Sequence, residues 1–393
     1  MLIICKDLIL KISEHMTDKE KIRLLSTSRT MDQLKYIFKY DEIIDVARIY
    51  QLPYFDNFKH VRISNKKSMY PKNAISVHFL AHTTKIPYGI THLTFVDDFN
   101  MPIKNCIPPT VKYLRFGESF DWSVDDCIPE SVIELVFGAC FDQKICNQLP
   151  LSITHITFGD CFNQNIDNIL PQYLTHLTFG HEFNQNVDCL VKLPITHLIF
   201  GRNFFQKINI PNTVTHLTLD SYSFGWSLKK DLPNSVTHLT LGNICSHIMA
   251  DGIPGSVTHL TFIGGFNMFL ENCISSSVTH LKFSVGFNQH IKNTIPTSVT
   301  HLKFGYLFNN PIEGHIPPSV THLKFGECFN HPIKGHIPQS VTHLKFGYYF
   351  NQSMKNSIPS SVTHIIFSKN YDMFNPKHIP STVVSVKFEV PKA

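Results

Sequence analysis

The sequence predicts a repeat solenoid with one parallel β-strand per 21-residue coil, preceded by a small α-helical module. Three observations predict it. A 21-residue unit recurs to the end of the chain; its cleanest copy runs from Val299 to Ser319 (VTHLKFGYLFNNPIEGHIPPS), and the next opens at Val320. The Leu of Thr-His-Leu marks 15 copies from Leu93 to Val386, every step 21 residues except Leu198 to Leu217 (19) and Leu217 to Leu239 (22). Within the unit, numbered from its Val, apolar residues hold places one, four, six, ten, fourteen and eighteen. Units of this length bury their apolar faces only against neighbouring copies, so they stack.

The elements follow in chain order. Residues 1–50 have a helical grammar. Leu8, Ile9, Ile12 and Met16 fall at helical spacing. Thr17-Asp18-Lys19-Glu20 reads as a capping box, and Ile22, Leu24 and Leu25 lie in the helix it opens. Leu34, Ile37 and Phe38 suit a third helix, and Ile43 to Ile49 a fourth. Residues 51–88 read as a linker and cap, in which His60-Val61-Arg62-Ile63 echoes Thr-His-Leu-x-Phe as a worn first coil. Residues 89–393 are the array.

In each coil, Thr-His-Leu-x-Phe alternates polar and apolar, a half-buried strand. Gly at place seven and Asn at place eleven are turn residues. Ile-Pro or Leu-Pro at places eighteen and nineteen suits neither a helix interior nor a central strand, but fits an extended return. The array is expected to be irregular over 187–250. The two odd steps fall there, and Phe204-Phe205, Phe224-Gly225 and Cys245-Ser246 replace Phe-Asn.

Composition bounds the function. The chain has 393 residues, 43% hydrophobic, with a net charge of +5. It has no apolar run near the roughly 20 residues that span a bilayer. Lys6 and Asp7 cut off the opening Met-Leu-Ile-Ile-Cys, so there is no signal-peptide core. Ten cysteines without a Cys-x-x-Cys pair read as reduced thiols of a cytoplasmic or nuclear protein, not a secreted one. Phosphate-loop, dinucleotide, zinc-protease and nucleophile-elbow motifs are absent, so no enzyme and no cofactor is expected.

Four side-chain columns follow from the repeat. Histidine holds place three in 12 coils. The following Leu and Phe point inward, so these imidazoles stand on the outer face of the sheet. A uniform column offers neither a convergent metal site nor a single oriented catalytic group; it is expected to stack and hydrogen-bond, and mutual repulsion to lower its pKa values. Place five reads Lys282, Lys303, Lys324 and Lys345 beside His280, His301, His322 and His343. These eight are the candidate target-binding residues, suited to an acidic protein segment. Nothing in the mild charge favours nucleic acid. Cys106, Cys127 and Cys273 share one place and Cys140, Cys161 and Cys328 another, as small buried thiols. The Asn column is expected to satisfy turn backbone.

The Leu-Pro return and single strand per unit resemble short leucine-rich repeats; a single-stranded β-helix is the alternative. Phe308-Asn309…Ile316-Pro317, Phe329-Asn330…Ile337-Pro338 and Phe350-Asn351…Ile358-Pro359 resemble more closely the FNIP repeat, known chiefly from social amoebae and giant viruses. Residues 7–29 resemble a degenerate F-box in which Asp7-Leu8 stands where Leu-Pro is usual. That resemblance implies that Leu8, Ile12, Ile22, Leu24 and Leu25 bind the Skp-type adaptor of a cullin–RING ubiquitin ligase, while the array selects the protein to be ubiquitinated, in the host cell if the source is viral. The alternative is a plain protein-binding scaffold whose helices cap the array.

Overall fold

A computed structural model describes residues 6–65, 69–221, 227–242 and 252–390. The opening pentapeptide, Phe224-Gly225 and Cys245-Ser246 lie outside them. The chain forms two compact units. One holds the described residues up to Gln164 together with Asn168–Leu174; the other holds Asn165–Asp167 and the described residues from Thr175 onward.

The first unit opens with helices α1 (Lys6–Ser13), α2 (Asp18–Leu25) and α3 (Arg29–Asp32), the last continuing as a 3-10 turn over Gln33–Tyr36. The capping box forms where the sequence places it. Thr17 Oγ1 accepts from the Glu20 N–H at 3.3 Å, and the Glu20 carboxylate accepts from the Thr17 N–H at 2.8 Å. One face of α2 is pinned by an ion cluster centred on buried Lys21. Lys21, 2% exposed, donates to Asp41 at 3.0 Å, Asp18 at 3.3 Å and the Lys39 carbonyl at 2.6 Å. The Asp18 carboxylate in turn accepts from the backbone N–H groups of Asp41 and Glu42.

The fourth helix does not form. Ile44–Asp45 is instead a short strand, β1, parallel to Val61–Arg62, and only Val46–Arg48 turns as a 3-10 helix. An open parallel edge supplies partners for this backbone, and β-branched Ile44 suits a strand. Strands β2 (His60–Ile63) and β3 (Ser76–Ala81) follow, with registers Val61↔Val77 and Phe79↔Leu93. Coiling therefore starts well before residue 89, in steps of 16 and 14 residues. The worn coil at His60 is present, and β3 adds a coil whose strand lacks Thr-His-Leu. Strands β4 (His92–Phe95), β5 (Tyr113–Arg115), β6 (Glu134–Val136) and β7 (His155–Thr157) complete the unit's parallel sheet.

The second unit carries β8 (His176–Thr178), β9 (His197–Phe200), β10 (His216–Leu219), α4 (Leu228–Asp231), β11 (His238–Leu241), β12 (His259–Phe262), β13 (His280–Lys282), β14 (His301–Lys303), β15 (His322–Lys324), β16 (His343–Lys345), β17 (His364–Ser368) and β18 (Ser385–Glu389). All pair in parallel, each repeat place on the same place of the next coil. The 19- and 22-residue steps leave this register intact, with His216 beside both His197 and His238. The 19-residue step is therefore absorbed in the loop between β9 and β10, not in the strands.

A clean coil has three tight turns. Phe308 N–H reaches the Gly305 carbonyl, His315 N–H the Ile312 carbonyl and Val320 N–H the Pro317 carbonyl. The middle turn needs a left-handed residue at place sixteen. Gly314 has φ 68° and Asn293 φ 53°, as a turn with positive φ at its third residue requires. At place seven the constraint is space. A Cβ on Gly326 would lie 1.6 Å from the Gly305 carbonyl oxygen of the preceding coil.

The six apolar places are all buried: Val320, Phe325 and Phe329 at 0%, Leu323 at 2%, Ile333 at 1% and Ile337 at 5%. The Phe rings at places six and ten stack within a coil, 4.0 Å apart for Phe325–Phe329, and again between coils, 5.8 Å for Phe304–Phe325. Polar ladders run outside this column. Asn330 N–H donates to Asn309 Oδ1 at 3.0 Å, and Ser340 Oγ donates to the Val320 carbonyl at 2.7 Å. The Asn column thus does satisfy backbone groups. The cysteine reading is corrected: Cys140, Cys146 and Cys161 are exposed and the other described thiols half-buried, because their places lie on turns outside the core.

Phe325→Ala removes a ring stacked on three sides, and should cost about 3–5 kcal/mol of unfolding free energy in a urea titration. Gly326→Ala should lower the midpoint as well, whereas Gly314→Asn, at a left-handed place that Asn fills elsewhere, should leave it nearly unchanged.

Candidate functional site

The sheet face of the second unit is built by places three and five. From His197 to His364 the imidazoles stack with centroids 4.1–4.5 Å apart and interplanar angles of 5–18°. Each is half-buried. The first unit carries a shorter stack of His78, His92 and Tyr113, spaced 4.1 and 4.2 Å.

Threonine at place two links each imidazole to the backbone of the preceding coil. In a representative coil, Thr300 Oγ1 lies 3.0 Å from His301 Nδ1 and 3.2 Å from the Thr279 carbonyl. That carbonyl already accepts the N–H groups of Thr300 and His301, at 2.9 and 3.1 Å. The Thr300 hydroxyl donates to that carbonyl as well, and the direction of its contact with Nδ1 follows the ring tautomer. Thr precedes His in all 12 coils that have His at place three, and in none of the three that do not, where Lys112, Ile133 and Val384 precede Tyr113, Glu134 and Ser385. The sequence itself carries this pairing as a signal of the contact.

Burial is the largest force holding the imidazoles below the ordinary histidine value, with neighbouring imidazoles second. His280, His301, His322 and His343 are lowered, and His238 is pushed down to about 4. The expected direction holds, but repulsion is not its first cause.

The lysine column stands in register beside this stack, Lys282↔Lys303↔Lys324↔Lys345. Lys282 is exposed; the others are half-buried. Burial, then neighbouring lysines, lowers the pKa of Lys303 and Lys324. Lys345 differs from the other three, because its ammonium is bound to the Glu389 carboxylate from β18. Among the described residues Lys282, Lys303 and Lys324 make no ion pair, although Glu327 and Glu389 lie close enough to favour the charged form of Lys324.

A groove of about 340 Å³ runs between the two columns from β12 to β17, walled by imidazoles on one side and lysine stems on the other. A second groove, about 330 Å³, follows the outer flank of Lys282, Lys303 and Lys324 and is bounded by Val285, Tyr306 and Glu327. The lysines thus form a ridge between two troughs. Among the described residues, no three His, Cys, Asp or Glu side chains are placed to hold a metal, and no helix is long and apolar enough to cross a membrane.

The residues expected to bind an adaptor divide. Leu8, Ile12 and Ile22 stand 53%, 49% and 58% exposed. Leu24 is half-buried. Leu25, 6% exposed, faces the packed side of α2 and belongs to the core, not to a surface.

Folded-state histidine values below the unfolded 6.5 fix the sign of a pH effect. Between the two values the unfolded chain binds more protons, so stability is full above about pH 7.5 and falls as pH drops below about 6.5. The urea midpoint should decline between pH 7 and 5.5, and the slope should flatten when His280, His301 and His322 are replaced by Gln. A midpoint independent of pH in wild type would contradict the neutral ladder.

Comparison with known proteins agrees with this architecture. Eight segments match the FNIP repeat: residues 82–119, 124–161, 162–190, 226–265, 266–307, 287–328, 329–370 and 350–389. No curated protein matches the chain. Among solved structures, the chain is similar to CroV588, described as a novel circular LRR protein, with 31% sequence identity and a TM-score of 0.56. The match covers 89% of this chain and 61% of that one, so the chain spans about three-fifths of its neighbour's length. With matched repeats over more than half its residues, the chain belongs to the FNIP repeat family.

Proposed function

We propose that this protein is a non-enzymatic recognition subunit. In this reading the sheet face of the second unit holds an acidic segment of a target protein. The N-terminal helices present that target to a Skp-type adaptor of a cullin–RING ubiquitin ligase, in the cytoplasm or nucleus. One observation carries the binding reading: three lysines, aligned in register and without ion-pair partners among the described residues, form the ridge between two grooves. Lysines held this close repel one another, and an acidic ligand relieves that repulsion. The ligase half rests on the F-box resemblance and on the uncovered Leu8, Ile12 and Ile22. Large apolar side chains left in water on short helices are features of a docking surface.

A second reading, a binding scaffold with no ligase link, is favoured by the ion cluster of buried Lys21 and Asp18 with exposed Asp41. It ties α2 to the chain that leads into β1, as a cap would be tied. Co-purification of the full chain with a purified Skp-type adaptor separates the two. Leu8→Asp with Ile22→Asp should abolish adaptor capture and leave the circular dichroism spectrum unchanged, since both residues are exposed. Failure of the wild-type chain to retain any adaptor would leave the scaffold.

A further inference from the structure

The lysine spacing discriminates between the shapes an acidic segment can take. Lys282, Lys303 and Lys324 are contributed one per strand by β13, β14 and β15. Parallel strands lie about 4.8 Å apart, so the three lysine Cα atoms span about 9.6 Å. An extended segment along the column presents same-face side chains about 6.8 Å apart, and three of them span about 13.6 Å. That arrangement slips out of register by its third side chain. An α-helix presents residues i, i+4 and i+7 on one face, and at 1.5 Å per residue they span about 10.5 Å. Flexible lysine stems absorb the remaining difference of about 1 Å.

The groove beside the lysines supplies the other half of the match. Its walls are imidazole rings and methylene stems, and the Thr hydroxyls occupy the Nδ1 atoms of the rings. Such a trough accepts an apolar stripe, and the adjacent ridge accepts an acidic one. Two neighbouring stripes of that kind are what one side of an amphipathic helix offers.

We propose that the face formed by β13–β15 binds an amphipathic α-helix of a partner protein, lying along the column with Asp or Glu at i, i+4 and i+7 on Lys282, Lys303 and Lys324. Its apolar stripe occupies the groove against His280, His301 and His322. This inference rests on the reading of the face as a target site and specifies the target's form.

Fluorescence anisotropy of labelled synthetic peptides with the full chain tests it. The first peptide is an Ala-based 18-mer with Glu at i, i+4, i+7 and i+11 beside a Leu stripe. The second has the same composition with Glu at alternate positions, and the third is the first interrupted by two prolines. The first should bind at least about tenfold more tightly than the others, and Lys282→Glu with Lys303→Glu should weaken it by about tenfold or more, as loss of close charge pairs does. Circular dichroism checks that the variant keeps its fold. If the second or third peptide binds as tightly as the first, the helical form is overturned and the acidic target site stands. If no peptide binds, or the double Glu variant binds the first one unchanged, the target site falls with it.

Discussion

One hydrogen-bonded junction is repeated in every regular coil, and the rest of the structure hangs from it. The place-two carbonyl of each coil accepts two consecutive N–H groups of the next, as Thr279 does from Thr300 and His301. This fixes parallel register, and parallel register sets each residue beside its counterpart one coil away. The core then becomes columns of one residue type, Phe on Phe and Val on Val, where a side chain that fits once fits throughout. The same rule works outside the core. An Asn side chain that satisfies a neighbour's N–H, or a Ser that reaches a neighbour's carbonyl, does so again a coil later.

How far the sequence spoke depended on where its pattern repeated. Inside the array, strand, core places and Asn ladder were legible because each signal recurred many times. Outside it, signals were single and weak. Ile44 read as helical from its neighbours alone and became a strand because a parallel edge stood open at Val61. Strand β3 lacked the Thr-His-Leu signature, and its pairing came from adjacent coils. Leu25 sat among apolar residues of one helix, and nothing local showed that it turns toward the core while Ile22 turns away. Lys345 looked equal to its three companions, since its partner Glu389 lies 44 residues on. The alternation of Asn and Gly at place sixteen was on the page, and a left-handed turn was its meaning.

The recognition face combines two columns that solve the same electrostatic problem differently. Stacked imidazoles avoid repulsion by favouring the neutral form, chiefly through burial. The lysines keep their charge and remain partly in water, and their repulsion is left standing. A face with one neutral wall and one charged ridge discriminates between the two long sides of whatever lies on it. It therefore selects orientation as well as charge.

Near-identity of successive coils has a consequence for how the molecule folds. Coils from Val278 onward differ little at their core places, so a strand displaced by one whole unit would meet almost the same partners. Such a slip costs little packing energy and would trap a misfolded chain. The 19- and 22-residue steps around Leu217 break that translational equivalence. Loop and coil lengths there fit only one alignment, as a notch fits one key. In a chain of interchangeable parts, the two odd lengths serve as the index marks from which correct alignment can be counted.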